Sequence, residues 1–554
     1  MKYSKLAELY EQLENTSKNL EKTSLISEFL KIVEEQDIKE IILLIQGRVF
    51  PKHSEKEIGI ANNLVVKLLK NASGATEKEI KQTWNKTGDL GITAEQILKK
   101  KKQITLKTKE LSVQDVITAI SSCAEITGKN AISKKINVLS EILSFAKPIE
   151  AKYIVRTILN MLRVGVASGL MRDAISTSFD IEKELIQKKY DLTTDFGEIA
   201  LTLKTKGKKS LEKIKMRIGT PVQVMLYNLA KNVEEGFKMT GKPAAIEFKY
   251  DGMRMQIHKE EDNVIIFTRR LDNVTKQFPD VVKAIKQTVK AKTCILDAEA
   301  VAYNPKTKEY LPFQYLSKRI KRKKDILEII KQIPVVIYVF DVINYENENV
   351  MLKKFDERRA IIKKIITPKK MILDCAEQLI TSSKEESEKF YSKALSLNEE
   401  GIMMKNIEST YIPGRRVGSG VKIKPVMETL DLAIIGGVWG EGKRSKWLSS
   451  FILSCKKGNE YLEIGKMGSG FSEEQFAKIT NQLKKIITRE TGRKVYVKPE
   501  IIVEVAYEEI QKSPTYSSGF ALRFPRLVNI RDDLSTPNKL EKISRIYSSQ
   551  KKVF

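Results

Sequence analysis

Three observations predict a multidomain fold: an all-α N-terminal domain, an α+β central domain and a C-terminal β-barrel of the OB type. The first is length. A chain of 554 residues exceeds the roughly 250–300 residues at which a single hydrophobic core stops growing. The second is an N-terminal stretch of about 215 residues whose apolar positions recur at helical spacing. The third is a change of texture at Gly219-Thr220-Pro221 and a second change around Pro425. These changes set the expected domains at 1–218, 219–425 and 426–554.

Each element follows from local pattern. Leu6, Leu9, Tyr10 and Leu13 share one helix face, as do Leu25, Ile26, Phe29, Ile32 and Val33 behind a Thr23-Ser24 cap signal. Ser54-x-x-Glu57 has the form of a capping box ahead of a helix over 58–69. Gly74, Gly88 and Gly91 read as breaks between helices. In the central part, strands are expected at 245–250, 253–258, 264–268, 295–302 and 335–340, with amphipathic helices over 280–290 and 355–366. Mixed strands and helices of this kind suggest an α+β domain with antiparallel sheets. Beyond Pro425, strands at 430–438, 449–455, 461–466 and 501–507, with one helix within 472–491, fit a small OB-type barrel.

Charge and composition narrow the function. Lys and Arg number 98 against 70 Asp and Glu, a formal net charge of +28, which points to a polyanionic partner, most simply nucleic acid. No apolar run approaches the roughly 20 residues of a membrane span, and the N-terminus has no apolar signal core. Cys123, Cys294, Cys375 and Cys455 are scattered, without a Cys-x-x-Cys pair, which argues for a reducing cytoplasm and against a zinc ribbon. His53 and His258 are the two histidines, so the chemistry is expected to run on Lys, Arg, Asp, Glu or a metal.

Glu247-Phe248-Lys249-Tyr250-Asp251-Gly252-Met253-Arg254 places a lysine where an apolar strand meets a turn, and Gly252 is read as the residue that permits the turn's backbone angles. A lysine held there can act as a nucleophile if neighbouring cations or a metal draw off its proton, and Arg254 is a nearby cation. Alone, the motif is equally a surface turn. It is followed in order by Thr268-Arg269-Arg270, Leu296-Asp297-Ala298-Glu299, Tyr338-Val339-Phe340-Asp341, Glu400-Gly401-Ile402-Met403-Met404-Lys405 and Lys422-Ile423-Lys424.

This ordered set resembles the covalent nucleotidyltransferase superfamily, and within it the ATP-dependent DNA ligases of the archaeal and eukaryotic replicative type. The resemblance spans nearly the whole chain. Leu162-Arg163-Val164-Gly165-Val166-Ala167 with Met171-Arg172-Asp173-Ala174 is similar to that family's helical DNA-binding domain. Ala521-Leu522-Arg523-Phe524-Pro525-Arg526 with Arg531-Asp532-Asp533 is similar to its last motif. The resemblance implies a DNA ligase that seals nicks through a lysyl-AMP and a 5′-adenylated DNA, with an adenylation domain at the centre. Lys249 would take AMP and Glu247 would recognise the adenine amino group. Arg254 and Arg269 would contact the nucleotide's sugar and phosphate or the DNA 5′-phosphate. Glu299 would bind ribose and, with Glu400, hold Mg²⁺. Phe340 would stack on adenine, and Arg416, Lys422 and Lys424 would face the phosphates. The co-substrate would be ATP and the partner nicked double-stranded DNA. A sliding clamp is carried as a further partner, with no membrane association and a monomeric state.

The chemistry of these residue types agrees. Phosphoryl-type transfer needs charge neutralisation and in-line positioning more than proton shuttling, and carboxylates supply the hard oxygens that Mg²⁺ takes together with phosphates. Each role has a plainer rival: Phe340 as core, Glu399-Glu400 as a solvated pair, and Lys422 and Lys424 as a guarded sheet edge. Gly468-Ser469-Gly470 carries a weak phosphate-loop signal against a hairpin turn, and the basic runs 99–102 and 318–324 suit DNA phosphate contacts against plain solvated faces. His258 is read as structural. The sequence departs from the family pattern at Gly420, where an aromatic residue is usual, at Leu534, where lysine is usual, and at Val224, where proline is common. Three functions are weighed: DNA nick sealing, an RNA ligase or GTP-using capping enzyme, and a non-catalytic clamp. The long helical domain argues against the second and an intact Lys249 against the third. The missing four-cysteine zinc module disfavours NAD-dependent ligases.

Overall fold

The computed structural model describes residues 1–101, 109–320, 322, 325–425, 427–440 and 447–553, with side chains through 550. The chain divides into two compact units. The first comprises Met1–Tyr227, Gly252–Ala376 and Ile407–Val417, and the second Asn228–Asp251, Glu377–Asn406 and Gly418–Phe554.

The first unit opens with helices, as the periodicity predicts. Helix Tyr3–Asn15 buries Leu6, Leu9, Tyr10 and Leu13, and the helical core runs on through Leu203 to Ile214. Three details differ from the sequence reading. Thr23 is not a cap but lies inside helix Asn19–Ile32, where its hydroxyl donates to the Asn19 carbonyl. The Ser54 capping box is not used: the next helix is Asn62–Ser73, and its N-cap Ala61 makes no side-chain cap bond. Gly74 and Gly88 end helices in the left-handed conformation, as C-caps do. Gly91, however, sits within helix Leu90–Lys99, where a Cβ would lie 2.6 Å from the Lys152 carbonyl oxygen, so close helix packing explains it.

The same unit holds a seven-stranded sheet. Its main path runs Asn263–Thr268, Met253–Glu260, Thr293–Tyr303, Val335–Tyr345 and Glu348–Asn349, with Tyr310–Leu311 beside 293–303 and Leu373–Cys375 beside 335–345. Helices Pro279–Thr288 and Phe355–Ile365 bury Val281, Ile285, Ile362 and Ile365 against one face of it.

A five-stranded sheet, most of whose residues belong to the second unit, has the order Leu226–Leu229, Arg416–Ile423, Gly401–Asn406, Ala244–Lys249, Gln378–Thr381. After Pro425 a strand-rich domain follows, with the path Glu460–Met467, Leu448–Lys457, Leu430–Trp439, Lys494–Ala506, Ile487–Thr491, and Arg526–Ile530 paired to 494–506. A parallel bridge from Ser469 to Arg526, with the Leu527 N–H donating to the Ser469 carbonyl at 3.0 Å, joins the two ends into a barrel. Gly468-Ser469-Gly470 is therefore a closure segment and not a hairpin turn. A Cβ on Gly470 would meet Leu527 backbone at 2.6 Å. The expected helix within 472–491 stops at Lys484, and Ile487–Thr491 is a strand paired with 494–506; the β-branched run from Ile486 favours that pairing.

Candidate active site

Lys249 is the last residue of strand Ala244–Lys249, which lies between Gly401–Asn406 and Gln378–Thr381. Register places Lys249 opposite Gly401, Glu247 opposite Met403, and Met403 opposite Lys422. Side chains alternate along a strand, so Glu247, Lys249, Lys405 and Lys422 share one face. Strand Arg416–Ile423 has neighbours on both sides in the sheet order, so Lys422 is not on a bare edge.

Gly401 has φ +140°, and a Cβ there would lie 2.1 Å from the Ile423 carbonyl oxygen, so only glycine fits. This tight passage turns Glu400 toward Lys249. The Glu400 N–H donates to the Lys249 carbonyl at 2.9 Å. The Glu400 carboxylate accepts from Lys249 Nζ, and from Lys424 Nζ at 2.6 Å. Burial by itself would raise the Glu400 carboxyl, but the two ammonium groups outweigh it and hold the group down at about 2. Glu399 is fully buried, and its Oε2 accepts from the Asp251 N–H at 2.9 Å. The two glutamates are thus not a solvated pair: one fixes the turn after Lys249 and the other meets its ammonium.

Glu247 and Lys405 form a buried ion pair at 2.5 Å, with 2% and 3% of their side chains exposed. Gln378, directly opposite Glu247, donates from Nε2 to Glu247 Oε1 at 3.0 Å.

In the first unit Arg254 lies on strand Met253–Glu260. It donates to Asp297 Oδ2 at 2.7 Å, to the Met225 carbonyl at 2.7 Å and to Tyr411 Oη at 3.2 Å. Burial disfavours its charge, but Asp297 reverses this and holds the guanidinium above its ordinary value. Arg254 Nε and Asp297 Oδ1 are buried without a hydrogen-bond partner among the described residues. Glu299 pairs in register with Arg254 on one side and Tyr338 on the other. Phe340 is the extra residue of a bulge, because Asp297 pairs with Asp341 and Ala298 with Val339. It stays half-buried outside the core that takes Ile337 and Val339, and the Arg254 guanidinium carbon stands 5.3 Å from its ring centroid. Val335, Ile337 and Val339 turn to the core, so strand alternation puts Phe340 on the opposite face with Tyr338, although its apolar run suggested core. The bulge re-sets the alternation only beyond it, so that Val342 returns to the core. Gly252 is required for space and not for a left-handed backbone: a Cβ would lie 2.5 Å from the Ala300 carbonyl oxygen. Arg269 and Arg416 are exposed, the first in the turn after Asn263–Thr268 and the second at the start of Arg416–Ile423.

Elsewhere, Arg531 grips Asp533 through two bonds, at 2.8 and 2.7 Å, and Asp431 at 2.8 Å. His258 is buried, and its ring accepts the Gly219 N–H at 3.1 Å; burial lowers it to about 3, a structural role. Of the basic runs, Lys102, Lys321, Lys323 and Lys324 lie outside the described residues. Sequence reasoning gave no role to Glu399, Lys405, Gln378, Asp297 or Tyr411. Lys405 and Asp297 stood inside quoted motifs, and that was the available signal; Gln378 and Tyr411 are brought in by pairing and packing alone.

A lysine at a strand end, facing carboxylates and further lysines on one sheet, within a chain that also carries a helical domain and a barrel, defines a multidomain nucleotidyltransferase. The family models that match are the ATP dependent DNA ligase domain over residues 224–424, the DNA ligase N terminus over 2–176 and the ATP dependent DNA ligase C terminal region over 444–534. A DNA ligase of Nanoarchaeum equitans is 45% identical, covering 99% of this chain and 98% of that protein. A DNA ligase of Thermococcus onnurineus is 41% identical, covering 100% and 99%. A solved structure called Pmar-Lig_PreS3 matches the fold with a TM-score of 0.57 at 17% identity, over 95% of this chain and 99% of that one. The chain belongs to the ATP-dependent DNA ligase family, whose members seal nicks in DNA through an adenylated intermediate.

Proposed function

We propose that this ligase charges itself at Lys249. The Nζ lone pair attacks the α-phosphorus of ATP, a P–N bond forms, and the bond to the departing pyrophosphate breaks. AMP then passes to the 5′-phosphate of a nick, and the 3′-hydroxyl displaces it. The observation that carries this reading is the position of Lys249 at the strand end, with its ammonium on Glu400 and Lys424 sharing that carboxylate. Before attack Lys249 must leave Glu400 and lose a proton. Lys424 remains to balance Glu400 while it does so.

In this reading Glu247 takes the adenine amino group and Phe340 the base's face. Arg254, Arg269 and Glu299 serve sugar and phosphate, and Arg416, Lys422 and Lys424 serve the phosphates. Glu299 and Glu400 would hold Mg²⁺. Among the described residues no three His, Cys, Asp or Glu side chains gather as a metal cage, and a Mg²⁺ held by one or two carboxylates plus substrate phosphates does not need one. When bound, the ion neutralises charge that develops on the phosphates. The domains are proposed at 1–218, 219–425 and 426–554, and the enzyme as a cytoplasmic monomer with a sliding clamp as a further partner. The four free thiols support a reducing compartment, and no helix among the described residues is long and apolar enough to cross a membrane.

The test is incubation with α-labelled ATP and Mg²⁺, then denaturation. Label should remain on the chain through an acid-labile bond, and Lys249→Ala should carry none. Full labelling of that variant would remove Lys249 from the role.

A further inference from the structure

We propose that Lys405 and Gln378 set the enzyme's choice of purine, by holding Glu247 as a group that only accepts hydrogen bonds. The proposal rests on the reading of Glu247 as the adenine contact and adds the residues that make it selective.

Glu247 lies in a dry place, with 2% of its side chain exposed. An ionised carboxylate buried there is costly unless it is paired and hydrogen-bonded. A protonated carboxyl has an O–H donor as well as acceptor capacity, whereas an ionised one only accepts. The two forms read opposite bases. An acceptor-only group matches the 6-amino group of adenine and opposes the 6-carbonyl oxygen of guanine; a carboxylic acid can donate to that carbonyl. What fixes the form is the neighbour. The Lys405 ammonium has donors and no acceptor, and it meets Glu247 Oε2 at 2.5 Å with 3% of its own side chain exposed. Gln378 presents its amide N–H to Oε1 at 3.0 Å. Both partners donate, one to each oxygen, so both oxygens are held as acceptors.

The placement is built by the sheet. Glu247 stands on the strand between the other two, directly opposite Gln378 on one side and opposite Met403 on the other. Lys405 is two residues beyond Met403 and therefore on the same face as Glu247. The strand that ends in Lys249 thus carries the proposed base contact two residues before the proposed nucleophile, and each flanking strand supplies one donor to it. A site built to pair a polar substrate group rejects an analogue that cannot pair, because a buried polar group is then left unmatched.

The test compares self-charging with labelled ATP and labelled GTP on the full chain, read as the ratio of kcat/KM for the two. Both nucleotides are measured on one preparation, so a fraction of inactive protein cancels from the ratio. Lys405→Met should lower the preference for ATP by about tenfold or more, and Lys405→Arg, which keeps the charge, should restore it. Gln378→Leu should shift the ratio in the same direction by less. If Lys405→Met does not fold, Lys405→Gln, which keeps a donor without the charge, is read in its place. An unchanged ATP:GTP ratio in the neutral Lys405 variant overturns the proposal. Glu247→Gln separates the two levels. If it too leaves the ratio unchanged, the adenine reading of Glu247 has failed; if it relaxes the ratio while the Lys405 variant does not, only the role of Lys405 has failed.

Discussion

At the scale of the residue, the site is a problem in balancing charge. Glu400 touches two ammonium groups, and its carboxyl falls from an ordinary 4.5 to about 2. A group whose folded value is depressed adds stability that is fully present above its unfolded value and is lost as the pH falls toward the folded one. The window here is pH 4.5 down to 2, and the contribution is at most about 3 kcal/mol. Glu400→Gln should therefore melt below the parent at neutral pH, with a gap that closes through this window. Melting curves at stepped pH check it, and a gap that stays constant across the window contradicts it. Legibility at this scale was uneven. Lys249 was visible because a lysine, an aspartate and a glycine met at a strand end. Glu399 was not, because two adjacent glutamates read as solvent-facing until the strand pairing buries one of them. Phe340 read as core because an unbroken apolar run does not reveal which of its alternating positions face inward.

At the scale of the element, hydrophobic spacing located the helices and central strands well, since each buries one face. Their ends were less legible. Thr23, Ser54 and Gly91 carry the chemistry of caps and breaks, yet packing partners far along the chain decide whether that chemistry is used. Helix Lys183–Thr193 shows such a partner. Asp191, 4% exposed in its last turn, accepts from Gln187 at 2.8 Å, and its carboxylate leaves no room for a Cβ at Gly414. Burial pushes it from 3.8 up to about 6, and the negative end of the helix opposes its charge further. A raised acid destabilises the fold as the pH climbs from 3.8 through 6, the opposite sign to Glu400. Asp191→Asn keeps an acceptor for Gln187 and removes the charge. It should raise the melting temperature at pH 7, by the equivalent of at most about 3 kcal/mol, and give nothing below pH 3.8. A lower melting temperature at pH 7 would show that the charge is satisfied.

At the scale of the molecule, the collinear order of motifs carried the most information, because each is weak alone and their sequence along the chain is not. The net charge of +28 gave the class of partner and not the place of contact, which composition does not encode. It does imply a salt dependence. A duplex binder that neutralises about six phosphates loses about a thousandfold in affinity between about 50 and 200 mM salt. Binding of a nicked duplex, followed by fluorescence anisotropy across that range, should fall in this way for any nick sequence. A nearly flat response would contradict the phosphate-contact reading.

The central claim is that Lys249 stores AMP and is needed for that step and not for joining. Lys249→Ala can be given two nicked duplexes, one with a plain 5′-phosphate plus ATP and one already carrying AMP on that phosphate. The account predicts no sealing of the first and sealing of the second, with the joined strand resolved on a denaturing gel. Sealing of the plain nick with ATP, at a rate near that of the parent, would contradict it.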